Sequence, residues 1–287
     1  MTSPSRPRVG HIEFLNCLPL YWGLEQSDDV ACMDLSSDTP DRLSDALVAG
    51  DLDIGPISLV EALRHAEDLV VLPEVAVGAL GSVMSVCLVS KRPVSELDSA
   101  VVALGSTSRT SVELARLILE RRWGLAPTYL TCEPDLPRML EQADAAVLIG
   151  DPALEATLAS DHGEGVVVTD LAREWLDWQG LPMVFAVWAV RREYIREHPK
   201  AVRAVRIAFA RALVSASEHP RDVAAAGAAV SGFTVPQLLV YYRVIDFSLG
   251  AAQWRGIQAF AGLLGSSELA AARELEADRL DVLRSTA

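Results

Sequence analysis

Four short polar stretches hold the residues of this chain best suited to chemistry. Leu15-Asn16-Cys17 interrupts an apolar run, and Ser58 follows "DLDIGPI". Ser106-Thr107-Ser108-Arg109-Thr110-Ser111 follows "VVALG", and Asp151 follows "AAVLIG". Each sits where a strand-like run hands over to a helical one. The first turn of a helix has unpaired N–H groups and a partial positive charge, so it can hold a carboxylate or phosphate without a lysine. Ser, Thr and Asp are also ordinary N-caps. One cap uses only some of the N–H groups, so the sequence leaves both uses open, and for Ser58 and Asp151 capping is sufficient by itself. A carboxylate at Asp151 would repel an anion unless protonated or aimed at a hydroxyl. Asn16 is a poor strand residue, and Pro19 so close behind it fits a cap badly.

Other chemistries find no support. His11, His65, His162, His198 and His219 show no paired metal-ligand spacing. No Walker loop, G-x-S-x-G elbow or G-x-G-x-x-G fingerprint occurs. Trp175, Trp178 and Trp188 suit core packing better than base stacking.

The elements that must position these junctions follow from periodicity. Apolar runs bounded by turn residues predict strands at Arg8–Ile12, Val30–Leu35, Asp53–Ile57, Met84–Ser90, Val101–Leu104, Thr128–Cys132, Ala145–Ile149, Gly165–Thr169 and Val184–Val190. Helical patterns separate most of them. Thr39-Pro40 reads as a cap with proline in the first turn, and Gly50 as the stop. Ser58-Leu-Val-Glu61 and Thr110-Ser-Val-Glu113 match capping boxes, and Asp151-Pro152 repeats the cap-then-proline pattern. After Val190 only helices are expected, and the prolines after His198 and His219 end two of them. Alternating strands and helices predict a parallel α/β architecture. The layout divides into a first lobe over 1–87, a second over 88–183, and a return strand with C-terminal helices over 184–287. Met84–Ser90 and Val184–Val190 are expected to be the two crossings between lobes, and a cleft between lobes suits a small molecule.

Composition sets the outer bounds. The 287 residues are 51% hydrophobic and 22% charged, with a net charge of -14. A packed core is expected, and nucleic acid is not a partner, because no Lys/Arg cluster exists to neutralise phosphates. Arg121-Arg122 and Arg191-Arg192 read as element ends. The polar N-terminus lacks an apolar leader core and no uninterrupted run is long enough to span a membrane, so no secretion and no membrane partner are expected. Cys17, Cys32, Cys87 and Cys132 lack C-x-x-C spacing and read as reduced thiols of a cytoplasmic protein.

"RVGHIEFLNCLPLYWGL", "LDIGPISLVEAL", "GSVMSVCLVSKRPVSELDSAVVALGSTSRTSVELARLIL", "AVLIGDPAL" and "DLAREWLDWQGLPMVFAVWAV" follow one another in the order and spacing of the chorismate dehydratases of the futalosine route to menaquinone. The resemblance spans about residues 8–195. It implies a two-lobe type II periplasmic-binding-protein-like fold, with C-terminal helices on the first lobe, in a cytoplasmic enzyme. The implied reaction removes water from chorismate, a dicarboxylate, to give 3-[(1-carboxyvinyl)oxy]benzoate, with no metal and no organic cofactor. Asn16 is then the catalytic amide, donating to a carboxylate or to the leaving oxygen. Ser58, Ser85, Ser106, Thr107 and Ser108 are expected to cradle carboxylates, with Asp151 beside them. The proton at C3 goes either to the substrate's own enolpyruvyl carboxylate, the favoured reading, or to Asp151. Where the family often has threonine, this chain has Cys17, and small residues are common at the position of Arg109. Two further functions share the fold: a non-catalytic small-anion binder or sensor, and the sibling 1,4-dihydroxy-6-naphthoate synthase, whose serine-proline-cysteine motif is missing here.

Overall fold

The computed structural model describes residues 6–159 and 165–285. His162 and the first five residues of the N-terminal reading lie outside them. Ten strands are present among the described residues: β1 Arg8–Ile12, β2 Asp34–Asp38, β3 Ile54–Ser58, β4 Leu69–Ala79, β5 Val86–Ser90, β6 Val101–Gly105, β7 Thr128–Cys132, β8 Ala145–Ile149, β9 Val167–Asp170 and β10 Met183–Arg191. They form two five-stranded sheets, β2-β1-β3-β10-β4 and β7-β6-β8-β5-β9. β10 runs antiparallel to β3 and β4, and β5 runs antiparallel to β8 and β9; the remaining pairs are parallel. β5 is buried along its whole length, and β3 and β8 along all but the last residue. Such unbroken apolar runs belong to strands covered on both faces.

The crossings differ from the sequence expectation. Met84–Ser90 and Val184–Val190 are not links but strands of the sheets, and short segments, 80–85 and 180–182, pass between them. Val86 and Cys87 pair in the second sheet and Met183 in the first, so the sheets divide a few residues away from the 87/88 and 183/184 boundaries.

Three local expectations also shift. Residues Asp28–Cys32 form a 3-10 turn, and the polar Asp34–Asp38 makes the second strand. It is an exposed edge, held by its full parallel register with β1 rather than by side-chain propensity. β4 was not anticipated because Pro73 and Glu74 break its apolar run; an edge strand accepts proline, and register shifts opposite β10 absorb the irregularity. Pro220–Val230 is an additional helix. The expected stop at Gly50 holds, with φ 86°, and His198 and His219 each close a helix.

The C-terminal helices cover the first sheet. Phe209 of Pro199–Glu218 meets Trp188 of β10 edge-on at 6.3 Å, and Phe260 of Ala251–Leu264 meets Trp175 at 6.0 Å. Trp175 and Trp188 are fully buried and Trp178 packs edge-on against Trp175, so all three serve the core. Each such aromatic pair contributes about 0.5–1.5 kcal/mol beyond its buried area. Cys17 and Cys87 are buried, Cys32 and Cys132 half-buried, and all four are unbridged. Arg122 pairs with Glu174 and Arg192 with Asp278, so each basic doublet has one residue tied to an internal carboxylate. Among the described residues no single helix is long and apolar enough to cross a membrane.

Candidate functional site

The carboxyl ends of β1, β3, β6 and β8 face one cleft between the two sheets, the position where ligands meet open α/β sheets. The cleft holds about 690 Å³ of space between its walls, open solvent included. Asn16, Ser58, Ser85, Thr107 and Ser108 all line it, between the apolar walls Phe14, Ile149 and Phe185. Two expected residues do not. Ser106 is exposed and outside the lining, its N–H spent on Cys132 O at 2.9 Å. Asp151 is half-buried behind the wall, where its carboxylate accepts the Leu15 N–H at 3.0 Å.

Asn16 stands on a 3-10 turn, Leu15–Cys17, that ends β1's approach and opens helix Leu18–Glu25. That turn has no side-chain cap of its own; Asp151, from the other lobe, is what fastens its first N–H. Asp151 is not the cap of its helix, which begins at Gly150 with Ile149 as N-cap. Burial raises the Asp151 pKa, and the Leu15 hydrogen bond opposes this only in part. The Asn16 side-chain oxygen is buried without a hydrogen-bond partner. An unmet buried acceptor costs about 1–3 kcal/mol, and this one lies at the cleft, where it is left to accept a hydrogen bond. Burial also drives the neighbouring Cys17 thiol far above its ordinary range, so it stays neutral within the core and outside the cleft lining.

Gly150 adjoins this point. Its φ is +63°, and a methyl there would lie 2.8 Å from the Phe14 ring. Its N–H donates to Ser85 O at 2.8 Å, joining the end of β8 to the first crossing. Ser85 is 2% exposed; its hydroxyl reaches Val83 O at 3.5 Å and lies against the buried Tyr241 hydroxyl at the cleft floor.

The capping boxes are put to another use. Ser58 does cap Leu59–Arg64, accepting the Glu61 N–H at 3.4 Å, but the Glu61 carboxylate does not return to Ser58. It accepts Arg64 at 2.7 Å and, across the cleft, lies 3.2 Å from Arg109. Arg109 also reaches Asp45 at 2.7 Å. Thr110 lies inside the helix Thr110–Leu117, one residue past its N-cap, and its hydroxyl accepts the Val60 N–H at 3.2 Å, again between lobes. Ser108 takes the capping task, accepting the Ser111 N–H at 3.3 Å. Four polar contacts therefore close the cleft: Arg109 with Asp45 and with Glu61, Thr110 with Val60, and Asp151 with Leu15.

Arg109 and Asp41 are lining residues that sequence reasoning did not assign a role. One Asp41 carboxylate oxygen is buried and unpartnered; it sits in the first turn of Pro40–Ala49, where the helix dipole favours a negative charge. The proline before it marked the helix start and nothing marked the cleft. His11 stacks on Tyr21 with ring centroids 3.5 Å apart, and burial lowers its pKa; it faces the core. No group of three or more His, Cys, Asp or Glu among the described residues is placed to hold a metal ion.

Comparison with known proteins agrees with this architecture. The chain superposes on protein AF1704 of Archaeoglobus fulgidus with a TM-score of 0.65 at 19% identity, over 96% of this chain and 98% of that one. It superposes on the periplasmic aliphatic sulphonate binding protein of Escherichia coli with a TM-score of 0.64 at 21% identity, over 97% and 89%. At that identity these likenesses establish a periplasmic-binding-protein-like fold and nothing further. A chorismate dehydratase of Thermus thermophilus is 35% identical over 240 residues, 79% of this chain and 84% of that protein. The sequence model of the menaquinone biosynthesis family matches residues 7–265, and the chain belongs to that family.

Proposed function

We propose that this chain is a chorismate dehydratase, a carbon–oxygen hydro-lyase acting in the cytoplasm on the dicarboxylate chorismate. The observation that carries the reading is the unpaired Asn16 amide oxygen at a cleft rimmed by Ser58, Ser85, Thr107 and Ser108. The chorismate dehydratase of Thermus thermophilus and the family match give the reaction its identity.

The chemistry asks for positioning more than for reactive groups. The C3 proton and the C4 hydroxyl leave as water, two electrons pass into the ring, and aromatisation drives the step. In this reading the ring hydroxyl donates to the Asn16 oxygen, and the amide N–H₂ steadies the departing oxygen as charge develops on it. Hydroxyls at Ser58, Ser85, Thr107 and Ser108, with the N-terminus of Thr110–Leu117, hold the carboxylates without net positive charge. Arg109 is already matched by Asp45 and Glu61, so its task is to hold the lobes together around the ring. The base is the substrate's enolpyruvyl carboxylate, which folds back toward C3. Asp151 is a weaker candidate, because its carboxylate is engaged by Leu15 and lies outside the cleft lining; its role here is to position Asn16.

Incubating the purified protein with chorismate should give 3-[(1-carboxyvinyl)oxy]benzoate, followed by aromatic absorbance and mass. Asn16→Ala should depress turnover far more than product affinity. A folded protein that binds chorismate without converting it would make the chain an anion binder or sensor. Turnover only of a cyclised futalosine derivative would make it the sibling synthase.

A further inference from the structure

Helix Leu171–Gln179 touches both crossings between the lobes. At its start, the Asp170 carboxylate accepts four backbone N–H groups. One oxygen takes Ala172 and Arg173, both at 3.0 Å, and so caps the helix. The other takes Val83 at 2.9 Å and Met84 at 2.7 Å, in the first crossing. Further along the helix, the buried Trp175 indole N–H donates to Pro182 O in the second crossing at 3.3 Å. Just past the helix, Gly180 turns the chain with φ 69°.

Met84 explains why so many bonds converge there. It is one of two non-glycine residues with positive φ among those described, at 65°. Side chains resist this region, so Met84 holds it only because its surroundings impose it. Its N–H is gripped by Asp170 and its C=O by the Thr157 hydroxyl at 2.7 Å. The next residue is Ser85, which lines the cleft.

We propose that Asp170 is a positioning residue for the reaction: its carboxylate sets the left-handed turn at Met84 that aims Ser85 into the cleft, and with Trp175 it makes Leu171–Gln179 a bracket across both crossings. The inference rests on the reading of Ser85 as a substrate contact. It gives a function to "DLAREWLDWQGLP", a motif that the cleft residues leave unexplained.

Asp170→Ser separates the two halves of the carboxylate. Serine still caps the helix, but it is too short to hold Val83 and Met84 as well. The expected result is faster amide hydrogen exchange at Val83 and Met84, and a kcat for chorismate about tenfold lower, as part of the two lost charge-assisted hydrogen bonds is felt in the transition state. KM should change less than kcat. Adding Met84→Gly should recover part of the lost kcat, because glycine takes positive φ unaided; a residue that only stabilised the fold would show no such rescue. Thr157→Val, acting on the Met84 carbonyl alone, should lower kcat in the same direction and serves if Asp170→Ser fails to fold. Unchanged exchange at 83–84 would overturn the proposal. So would faster exchange with wild-type kcat, or a loss that follows global melting without rescue by Met84→Gly. If the wild-type protein does not dehydrate chorismate, the dehydratase reading falls, while the exchange measurement still decides the bracket.

Discussion

Asp151 provides the sharpest test of how the two lobes share the chemistry. It reaches across to accept the Leu15 N–H at 3.0 Å, one residue before Asn16. A hydrogen bond to a charged group contributes about 1.5–3 kcal/mol and a neutral one about 0.5–1.5 kcal/mol. Asp151→Asn keeps an acceptor oxygen, so the turn should lose about 1 kcal/mol, equivalent to a fall in kcat/KM of roughly fivefold. Asp151→Ala leaves the Leu15 N–H unmet, and about 2 kcal/mol corresponds to roughly thirtyfold. Were Asp151 the general base, the asparagine would be as damaging as the alanine, and both would fall by about a hundredfold to ten-thousandfold. The assay is chorismate turnover by aromatic absorbance, with thermal melts in parallel. Melts also carry a pH signature. Burial raises the native pKa of Asp151 above its unfolded value, so the stability this group contributes is greatest below the unfolded pKa and is lost as pH rises through the native one. The Tm difference between Asp151→Asn and wild type should therefore be most favourable to the variant at neutral pH and move against it as pH falls through that window. An asparagine variant that is inactive although folded would refute the positioning role.

Two further perturbations probe the closure of the cleft. Glu61→Gln weakens the grip on Arg109 while leaving the exposed Asp45 pair, so about 1 kcal/mol of interlobe attraction is lost; small-angle scattering of the ligand-free protein should show a more open shape, and KM should rise more than kcat falls. Gly150→Ala forces a side chain into left-handed backbone and against Phe14; a loss of about 1–2 kcal/mol in stability from the backbone alone is expected in denaturant melts, with a fall in kcat as Phe14 is displaced beside Asn16.

Much of the frame was legible because it is local. The runs at Arg8–Ile12, Thr128–Cys132 and Ala145–Ile149 match their strands end to end, since a short apolar or β-branched run between turn residues leaves a local pattern that its neighbours cannot mask. β4 and β2 were lost for the opposite reason: one carries Pro73, the other is polar, and both exist as edges of a sheet that only the assembled chain supplies. The site divides along the same line. Asn16, Ser58, Ser85, Thr107 and Ser108 could be found from strand ends and family motifs, because the fold rule places strand ends together. What the sequence hides is pairing at long range. Asp151 and Thr110 look like helix caps, yet they bond to Leu15 and Val60 in the other lobe. Glu61 completes a box motif in the letters and an ion pair with Arg109 in space. A capping residue and an interlobe clasp use the same oxygen, and only the three-dimensional arrangement selects between them.

The order of strands has a consequence for synthesis. The second sheet is drawn from one continuous stretch and has all its strands once Asp170 has left the ribosome. The first sheet must wait for β10, between β3 and β4, which is made only after the whole second lobe. The amino-terminal strands thus spend that interval with a gap in their hydrogen-bonding pattern, and the half of the molecule translated second is the half able to complete its sheet first.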